Sequence, residues 1–271
     1  MVRPFETEIT DHVATLWLSH PERSNAMGPE FWAELAPTIE ALDRNEEVRA
    51  VVLAARGRHF SSGLDLMRMA AELGPALTEG GLAKDRIVLF RKILEMRRGF
   101  DAIVESDKPF VAAVHGLCIG GGVDMIASCD VRVASATARL GVRETKIAIV
   151  ADMGSLQRLE AIIGRGHVRE LAFTGKDIDA PRALAIGLVN HVVPTDDEAL
   201  AKAREIAMEI ADNPPLVVQG TKRALRFTAR YGEQAGLEQV AAWNASQLAS
   251  EDLREAMAAF IEKRKPSYRG K

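Results

Sequence analysis

The sequence predicts an α/β fold that ends in a helical region. Short β-branched runs alternate with segments of helical spacing through the N-terminal part of the chain, and the order strand, helix, strand recurs. This order favours right-handed crossovers between parallel strands. From about Asp196 onward the pattern is almost entirely helical. We therefore expect an α/β core over residues 1–195 and a helical C-terminal region over residues 196–271.

Local patterns predict the individual elements. Residues 5–18 alternate apolar and polar side chains around Asp11-His12, which predicts a β-hairpin. Residues 29–44 carry apolar side chains at helical spacing, and residues 82–106 form a second, longer helical segment. Short apolar runs predict buried strands at 50–54, 110–114 and 130–134.

The composition excludes several classes of function. The chain has 271 residues, of which 47% are hydrophobic and 27% charged, and its formal net charge is −3. Nucleic acid and anionic membranes are therefore not expected partners. With no apolar run of about 18 residues and no signal-peptide pattern, we expect a cytoplasmic protein. Cys118 and Cys129 show no metal-ligand spacing, so we interpret them as buried thiols and expect neither a metal nor a redox cofactor.

Two glycine-containing loops, residues 59–66 and 115–124, are candidates for chemistry. Each follows a predicted buried strand and leads into a helix, so each presents backbone N–H groups at a helix start. Glycine permits close approach of the backbone to a ligand. On neighbouring strands the loops could direct two amides at one oxygen, which would form an oxyanion hole. The alternative for each loop alone is tight strand-to-helix packing, and neither has the spacing of a dinucleotide-binding loop or a P-loop.

Together these loops resemble a known family. Phe60-Ser-Ser-Gly-Leu-Asp65, followed by His115-Gly-x3-Gly-Gly-Gly122, is similar to the enoyl-CoA hydratase/isomerase (crotonase) family. Asn25-Ala26 and the segment 260–265 resemble that family's N-terminal and C-terminal segments. The resemblance implies a crotonase-like ββα spiral core, a helical C-terminal trimerisation region, and self-association as a trimer or a dimer of trimers. It also implies an acyl-CoA substrate, in which coenzyme A is part of the substrate and not a cofactor.

The resemblance further implies which residues contact the ligand. The N–H groups of Leu64 and Gly121 would hold the thioester oxygen. Coenzyme A would lie near Arg23 and the first glycine loop, and the last helix would reach the ligand of a neighbouring subunit. The contacts implied are Arg23, Asn25, Ser62, Gly63, Leu64, Asp65, Leu66, Gly121, Phe260 and Lys263.

Three acidic residues must decide which reaction such a site performs, because a fold motif does not fix the chemistry. Asp124 lies in the first helical turn after the glycines, Glu144 follows, and Asp152 stands in an otherwise apolar run, where a carboxylate is costly unless paired or used. Each has a structural alternative. Asp124 could complement the helix dipole, Glu144 could pair with Arg143 or Lys146, and Asp152 could cap the next helix.

This set of acids, with the segment 153–159 and Trp243-Asn244, resembles the Δ3,5-Δ2,4-dienoyl-CoA isomerases. Such an isomerase must remove a proton at C2 and add one at C6, which requires two separated proton carriers. We assign Glu144 as the base at C2 and Asp152 as the acid at C6, with the reversed roles open. Asp124 would orient Glu144 and raise its pKa. A role in fatty-acid β-oxidation would follow.

Two alternative functions stay open. In an enoyl-CoA hydratase, Asp124 and Glu144 would activate a water, although Asp124 is shorter than the glutamate usual at that position. A non-catalytic or RNA-binding family member would use a basic surface, and Lys222, Arg226 and Arg230 form a basic stripe at i, i+4 and i+8. We interpret that stripe as a solvated face, with coenzyme A phosphates or a subunit boundary as the alternative contacts.

Overall fold

The computed structural model describes residues 3–77 and 82–271. Most strands are short and buried, and they divide between a larger and a smaller sheet. The strands are β1 (Phe5–Thr10), β2 (Val13–Leu18), β3 (Ala50–Ala55), β4 (Phe110–Val114), β5 (Leu117–Ile119), β6 (Val131–Ser135), β7 (Arg139–Gly141), β8 (Ile178–Asp179) and β9 (His191–Val193).

Helices connect and cover these strands. They are α1 (Pro29–Arg44), α2 (Leu66–Leu77), α3 (Ala83–Glu105), α4 (Gly121–Ala127), α5 (Ser155–Thr174), α6 (Ala180–Ala185), α7 (Asp196–Ala211), α8 (Pro215–Tyr231), α9 (Glu233–Gln247) and α10 (Glu251–Glu262). The predicted hairpin, helices and longer strands are confirmed. Strands β5, β7, β8 and β9 were not predicted, because two or three residues are too few to display a period. No helix of the described residues is long and apolar enough to cross a membrane.

The chain winds as a spiral that visits both sheets in turn. The larger sheet has the order β1-β2-β3-β4-β6-β9, parallel from β2 to β9, with β1 antiparallel at its edge. The smaller sheet has the order β5-β7-β8. The chain passes from β4 to β5 and into α4, and then from β6 to β7 and on to α5. This recurring strand, strand, helix unit confirms the predicted ββα spiral.

The two faces of the larger sheet are covered differently. On one face α1 and α3 supply aromatic side chains, with the rings of Trp32 and Phe100 5.5 Å apart in an edge-to-face arrangement. On the other face α7 packs through small residues at every fourth position, Ala199, Ala203, Ala207 and Ala211. The first helix of the region 196–271 therefore completes the sheet packing, and the division at residue 195 stays a prediction.

The basic stripe on α8 faces the rest of the chain. Lys222 is buried, and its Nζ donates to the carbonyl oxygens of Ile103 and Lys108. Arg226 and Arg230 both pair with Glu105, the last residue of α3. Cations at a helix C-terminus satisfy its free carbonyls and complement its dipole. The interpretation of this stripe as a solvated face is therefore wrong, because intramolecular partners occupy these cations.

Candidate active site

The two glycine loops lie side by side, as their sequence positions predicted. The N–H of Ser61 donates to the carbonyl of Leu117 at 2.9 Å, and the N–H of Ile119 donates to the carbonyl of Ser61 at 3.1 Å. The N–H of Phe60 donates to the carbonyl of His115 at 3.0 Å. These bonds fix one loop against the other, so groups at their ends keep a defined separation.

Two backbone donors stand at the contact between the loops. Gly63 has φ +81°, and a Cβ atom there would lie 2.9 Å from the carbonyl oxygen of Ile119 and 3.4 Å from the nitrogen of Gly121. Only glycine fits this close approach. Within residues 3–77 and 82–271, neither Leu64 nor Gly121 donates its backbone N–H to a protein acceptor. Both predicted donors are therefore available to a ligand.

Met27, which sequence reasoning missed, holds both loops. Its N–H donates to the carbonyl of Gly63 at 2.8 Å, and its carbonyl accepts from Asp65 at 3.1 Å and from Nε1 of Trp32 at 3.2 Å. Its sulfur would lie 2.7 Å from a Cβ on Gly121. The only sequence signal was its position after Asn25-Ala26, which says nothing about a sulfur contact.

Asn25 supports the first loop from behind. Its buried side chain donates to the carbonyls of Arg56 at 2.9 Å and His59 at 2.8 Å, and it accepts from the N–H of His20. Both amide N–H groups are therefore used within the chain. The Asn25 side chain therefore braces the loop, and the predicted contact of Asn25 with coenzyme A stays a prediction.

The other residues predicted near coenzyme A do gather around the first loop. Arg23 pairs with Asp65 at 3.1 Å, and the second carboxylate oxygen of Asp65 accepts from the N–H of Arg68 in the first turn of α2. Asp65 therefore caps that helix while it holds Arg23 beside the loop. Ser62, Gly63, Leu64 and Leu66 all line one cavity.

This cavity has a volume of about 620 Å³ and an apolar wall. Leu66, at the start of α2, and Leu89 and Ile93, on α3, line it. Five further apolar residues that sequence reasoning missed also line the cavity. These are Trp32, Met96, Ile147, Ile149 and Met153.

All three predicted carboxylates line the same cavity. Asp124, in the first turn of α4, is 1% exposed, and Glu144 is half-buried. Oε1 of Glu144 lies 3.4 Å from where a Cβ on Gly120 would stand, so this carboxylate reaches the second glycine loop. Its Oε2 is buried and has no hydrogen-bond partner among the described residues. The carboxylate of Glu144 is thus free to accept a proton beside the two backbone donors.

Burial and like charge raise the pKa of these acids. Burial, and after it the charge of Asp124, raises the pKa of Glu144 to about 7. Burial raises the pKa of Asp124 to about 6, against the opposing effect of its hydrogen bonds with Ser155. Burial also raises the pKa of Asp152. Because like charges close together cannot all ionise readily, the set retains a proton near neutral pH.

The structural alternatives for Glu144 and Asp152, an ion pair with Arg143 or Lys146 and a helix cap, are not observed within residues 3–77 and 82–271. Helix α5 begins at Ser155, and its N–H is capped at 2.6 Å by Asp124 and not by Asp152. Arg143, the predicted surface partner of Glu144, pairs with Asp177 instead. Asp124 therefore has a structural role as a cap, while the structure shows no such role for Glu144 or Asp152 within residues 3–77 and 82–271.

The two predicted C-terminal contacts lie outside this cavity in the single chain. Phe260, on α10, is 85% exposed, and Lys263 follows the end of that helix with φ 56°. Neither is among the residues that line the cavity. Their contact with a neighbouring subunit's ligand stays a prediction.

Metal-binding residues do not cluster in the described part of the chain, where no group of three or more His, Cys, Asp or Glu side chains could hold an ion. Both cysteines are buried free thiols, as the sequence analysis expected. Burial raises the pKa of both thiols, that of Cys129 to about 12, so neither is a reactive thiolate.

Known proteins are similar to this chain in sequence and in fold. The family model for enoyl-CoA hydratase/isomerase matches residues 8–271. A Dictyostelium discoideum protein named mitochondrial Delta(3,5)-Delta(2,4)-dienoyl-CoA isomerase is 41% identical over 260 residues, which cover 95% of this chain and 87% of the relative. An Arabidopsis thaliana protein named peroxisomal Delta(3,5)-Delta(2,4)-dienoyl-CoA isomerase is 37% identical over 93% of this chain and 91% of its own length.

Among solved structures, the enoyl-CoA hydratase from Bacillus anthracis superposes with a TM-score of 0.89 at 30% identity, and the match covers 99% of this chain and all of the other. The match extends over both sheets and the C-terminal helices. With the family model covering nearly the whole sequence and the loops meeting as that fold requires, the chain belongs to the enoyl-CoA hydratase/isomerase family.

Proposed function

We propose that this protein is an isomerase that converts a 3,5-dienoyl-CoA to the 2,4-dienoyl-CoA. The observation that carries the proposal is the position of Asp152. It lines the same cavity as Asp124 and Glu144 and has no capping role within the described residues. The relatives named dienoyl-CoA isomerases, which are 37% to 41% identical to this chain, support the same reaction.

The cavity supplies each group that the reaction needs. Glu144 removes the proton at C2, the electrons of that C–H bond form a C1=C2 double bond, and the carbonyl π pair moves onto the thioester oxygen to give the dienolate. When the carbonyl re-forms, the C1=C2 pair moves to C2=C3, the C3=C4 pair moves to C4=C5, and the C5=C6 pair takes a proton at C6 from Asp152. The negative charge of the dienolate intermediate rests on the thioester oxygen, where the N–H groups of Leu64 and Gly121 stabilise it. The reversed roles of Glu144 and Asp152 are the alternative assignment.

The raised pKa values suit this chemistry. A base that attacks a weak carbon acid works best when its pKa lies near the working pH. The pKa of Glu144, which burial and Asp124 raise to about 7, meets that condition. The raised pKa of Asp152 favours a carboxyl group that can hold a proton and deliver it. The apolar wall keeps bulk water away from the intermediate.

Enoyl-CoA hydration is the second candidate. Asp124 and Glu144 lie together in the cavity and could activate a water between them, and the Bacillus anthracis structure that this fold matches is named a hydratase. This reaction gives Asp152 no role. An RNA-binding function has less support, because the cations of the α8 stripe are already paired within the chain.

Several finer properties belong to the same proposal. Coenzyme A would bind as part of the substrate beside Arg23 and the first glycine loop. Self-association as a trimer or a dimer of trimers would bring Phe260 and Lys263 to the site of a neighbouring subunit. Phe260 is exposed in the single chain, so a neighbouring subunit could cover it. A cytoplasmic location stays a prediction, because the relatives are named mitochondrial and peroxisomal.

Ultraviolet absorbance distinguishes the two reactions directly. Purified protein is incubated with a 3,5-dienoyl-CoA and, separately, with a 2-enoyl-CoA. Growth of the conjugated 2,4-dienoyl signal, with little loss of the 2-enoyl signal, is the expected result. Hydration of the 2-enoyl-CoA alone would reject the isomerase and leave the hydratase.

A further inference from the structure

Arg158, in the first turns of α5, folds back over the start of its own helix. Its Nη1 donates to the carbonyl of Met153 at 2.9 Å, and its Nη2 donates to Asp101 on α3 at 2.6 Å. A Cβ on Gly154 would lie 1.9 Å from Nη1, and Gly154 has φ +114°. The left-handed backbone at Gly154 favours glycine, and the guanidinium of Arg158 packs directly over it.

The turn beneath the guanidinium carries Asp152. Asp152 itself opens onto the cavity, while its neighbours Ala151 and Met153 are buried, 6% and 7% exposed. Arg158 ties this turn to α3, because it bonds both the Met153 carbonyl and Asp101. Arg97, also on α3, holds Asp101 at 3.0 Å. The position of Asp152 in the cavity therefore depends on a link to α3, a helix that also lines the cavity.

Arg158 also lies near the carboxylate that caps its helix. Burial is the main influence on the pKa of Asp124 and raises it, the hydrogen bonds with Ser155 lower it, and the positive charge of Arg158 lowers it further. Because Asp124 in turn raises the pKa of Glu144, the charge of Arg158 acts on the pair. One side chain thus influences both halves of the carboxylate set.

We infer that Arg158 is a positioning residue for the reaction, which fixes the turn that carries Asp152 and supplies positive charge behind Asp124. This inference rests on the proposed function, since only the isomerase gives Asp152 a role. The other charged groups that face Arg158 are Arg97 and Asp101 on α3, with Asp130 and the α8 cations Lys222, Arg226 and Arg230 along a neighbouring cavity. The three α8 cations are paired with Asp130 or Glu105 and stay unchanged in the variants below.

Two variants separate position from charge. Arg158→Gln removes both, and we expect kcat to fall about tenfold with KM within about twofold, as for a misplaced proton donor. The acid limb of the kcat profile should move down by about half a pH unit, because without the nearby cation Asp124 holds its proton more tightly and then raises the pKa of Glu144 less. Arg158→Lys keeps the charge but has one nitrogen in place of the two that hold Met153 and Asp101, so kcat should fall while the limb stays in place. Arg165→Gln, an exposed arginine on the same helix, is the matched control and should change neither.

The outcomes are separable from those of the proposed function. An unchanged acid limb in Arg158→Gln, with only a lower unfolding temperature, would reduce Arg158 to a structural residue and overturn the inference. If the wild type hydrates a 2-enoyl-CoA and isomerises nothing, the proposed function fails, and the limb is then measured with the hydration reaction. The protonated-carboxyl band in infrared difference spectra of wild type and Arg158→Gln titrates the same groups without turnover. An upward shift in the titration of Asp124 supports the inference, and its absence rejects it.

Discussion

The two glycine loops and the three carboxylates line one cavity, but they are built in different ways. The loops offer backbone N–H groups, and their geometry is fixed by hydrogen bonds such as Ser61 to Leu117 and by a close approach that only Gly63 permits. The carboxylates are side chains on three separate elements, and burial and mutual repulsion tune them. The loops therefore depend on backbone geometry, and the carboxylates depend on burial and charge.

In the proposed function, this difference separates the part of the site that serves any reaction from the part that selects one. The two backbone donors would stabilise the thioester oxygen whatever reaction follows. A side-chain carboxylate can be lost or gained without disturbing the loops, so the acids select the reaction. Variants of the two parts should therefore fail in different patterns, and the predictions below test that contrast.

The largest effect is expected at Asp152. Asp152→Asn removes the proposed proton donor but keeps the side chain's size, so isomerisation should fall by about a thousandfold or more, within the range for loss of an acid–base group. Coenzyme A binding should be retained, because Asp152 is not needed for the loops. Isothermal titration with a substrate analogue and the dienoyl absorbance assay measure the two properties, with Glu160→Gln on the surface of α5 as control. Full isomerase activity in Asp152→Asn would remove the isomerase mechanism.

A change in the loops should affect every reaction alike. Gly63→Ala adds a Cβ that would meet the Ile119 carbonyl at 2.9 Å, in a conformation with φ +81°. We expect activity to fall by about a hundredfold or more, the typical effect of losing one oxyanion donor. The loss should be equal for isomerisation and for any hydration that the wild type performs. Gly166→Ala is the control, because a Cβ there has no neighbour within 4 Å. A loss confined to one reaction would contradict the contrast.

A smaller effect is expected from the charge of Asp124. Asp124→Asn keeps an oxygen that can accept from Ser155 but removes the negative charge that raises the pKa of Glu144. Activity that needs ionised Glu144 is lost as the pH falls through its pKa, about 7 in the wild type. Because the variant lowers that pKa, the acid limb of kcat should move down by about one pH unit. A pH–rate profile tests this, and a limb that stays in place or moves up would show that Asp124 does not control Glu144.

The same contrast explains how much the sequence could predict. The loops were predictable, because glycines after buried strands report a local backbone requirement that residues 59–66 and 115–124 display directly, whereas the donors Leu64 and Gly121 were implied by the family resemblance. The longer strands and helices were predictable for the same reason, since a period of two or of 3.6 is local. The short strands β5, β7, β8 and β9 form by pairing with other strands, and their own residues show no local pattern.

The misses involve contacts between distant segments. The cap on α5 comes from Asp124, in a different helix, although Asp152 is nearer in sequence. The α8 cations pair with the end of α3, a partner more than a hundred residues away, as in the bond from Arg230 to Glu105. Met27 contacts both loops through its backbone and its sulfur. No pattern along the chain states such pairings, since they follow from the assembled fold.

The smallest effect is expected at Met27, which packs behind both loops, and it tests whether this packing affects every reaction equally. Met27→Leu keeps the backbone bonds to Gly63 and Asp65 but replaces the sulfur that packs on Gly121. A volume-conserving exchange in a core lowers the free energy of unfolding by less than about 1.5 kcal/mol, so the loops should keep their positions. We therefore expect activity to fall only about two- to fivefold. The fall should be the same for every thioester that the wild type accepts, with the pH profile unchanged. A change in the acid limb, or a loss selective for isomerisation, would show that Met27 acts on the carboxylates, and the separation between shape and charge would then break down.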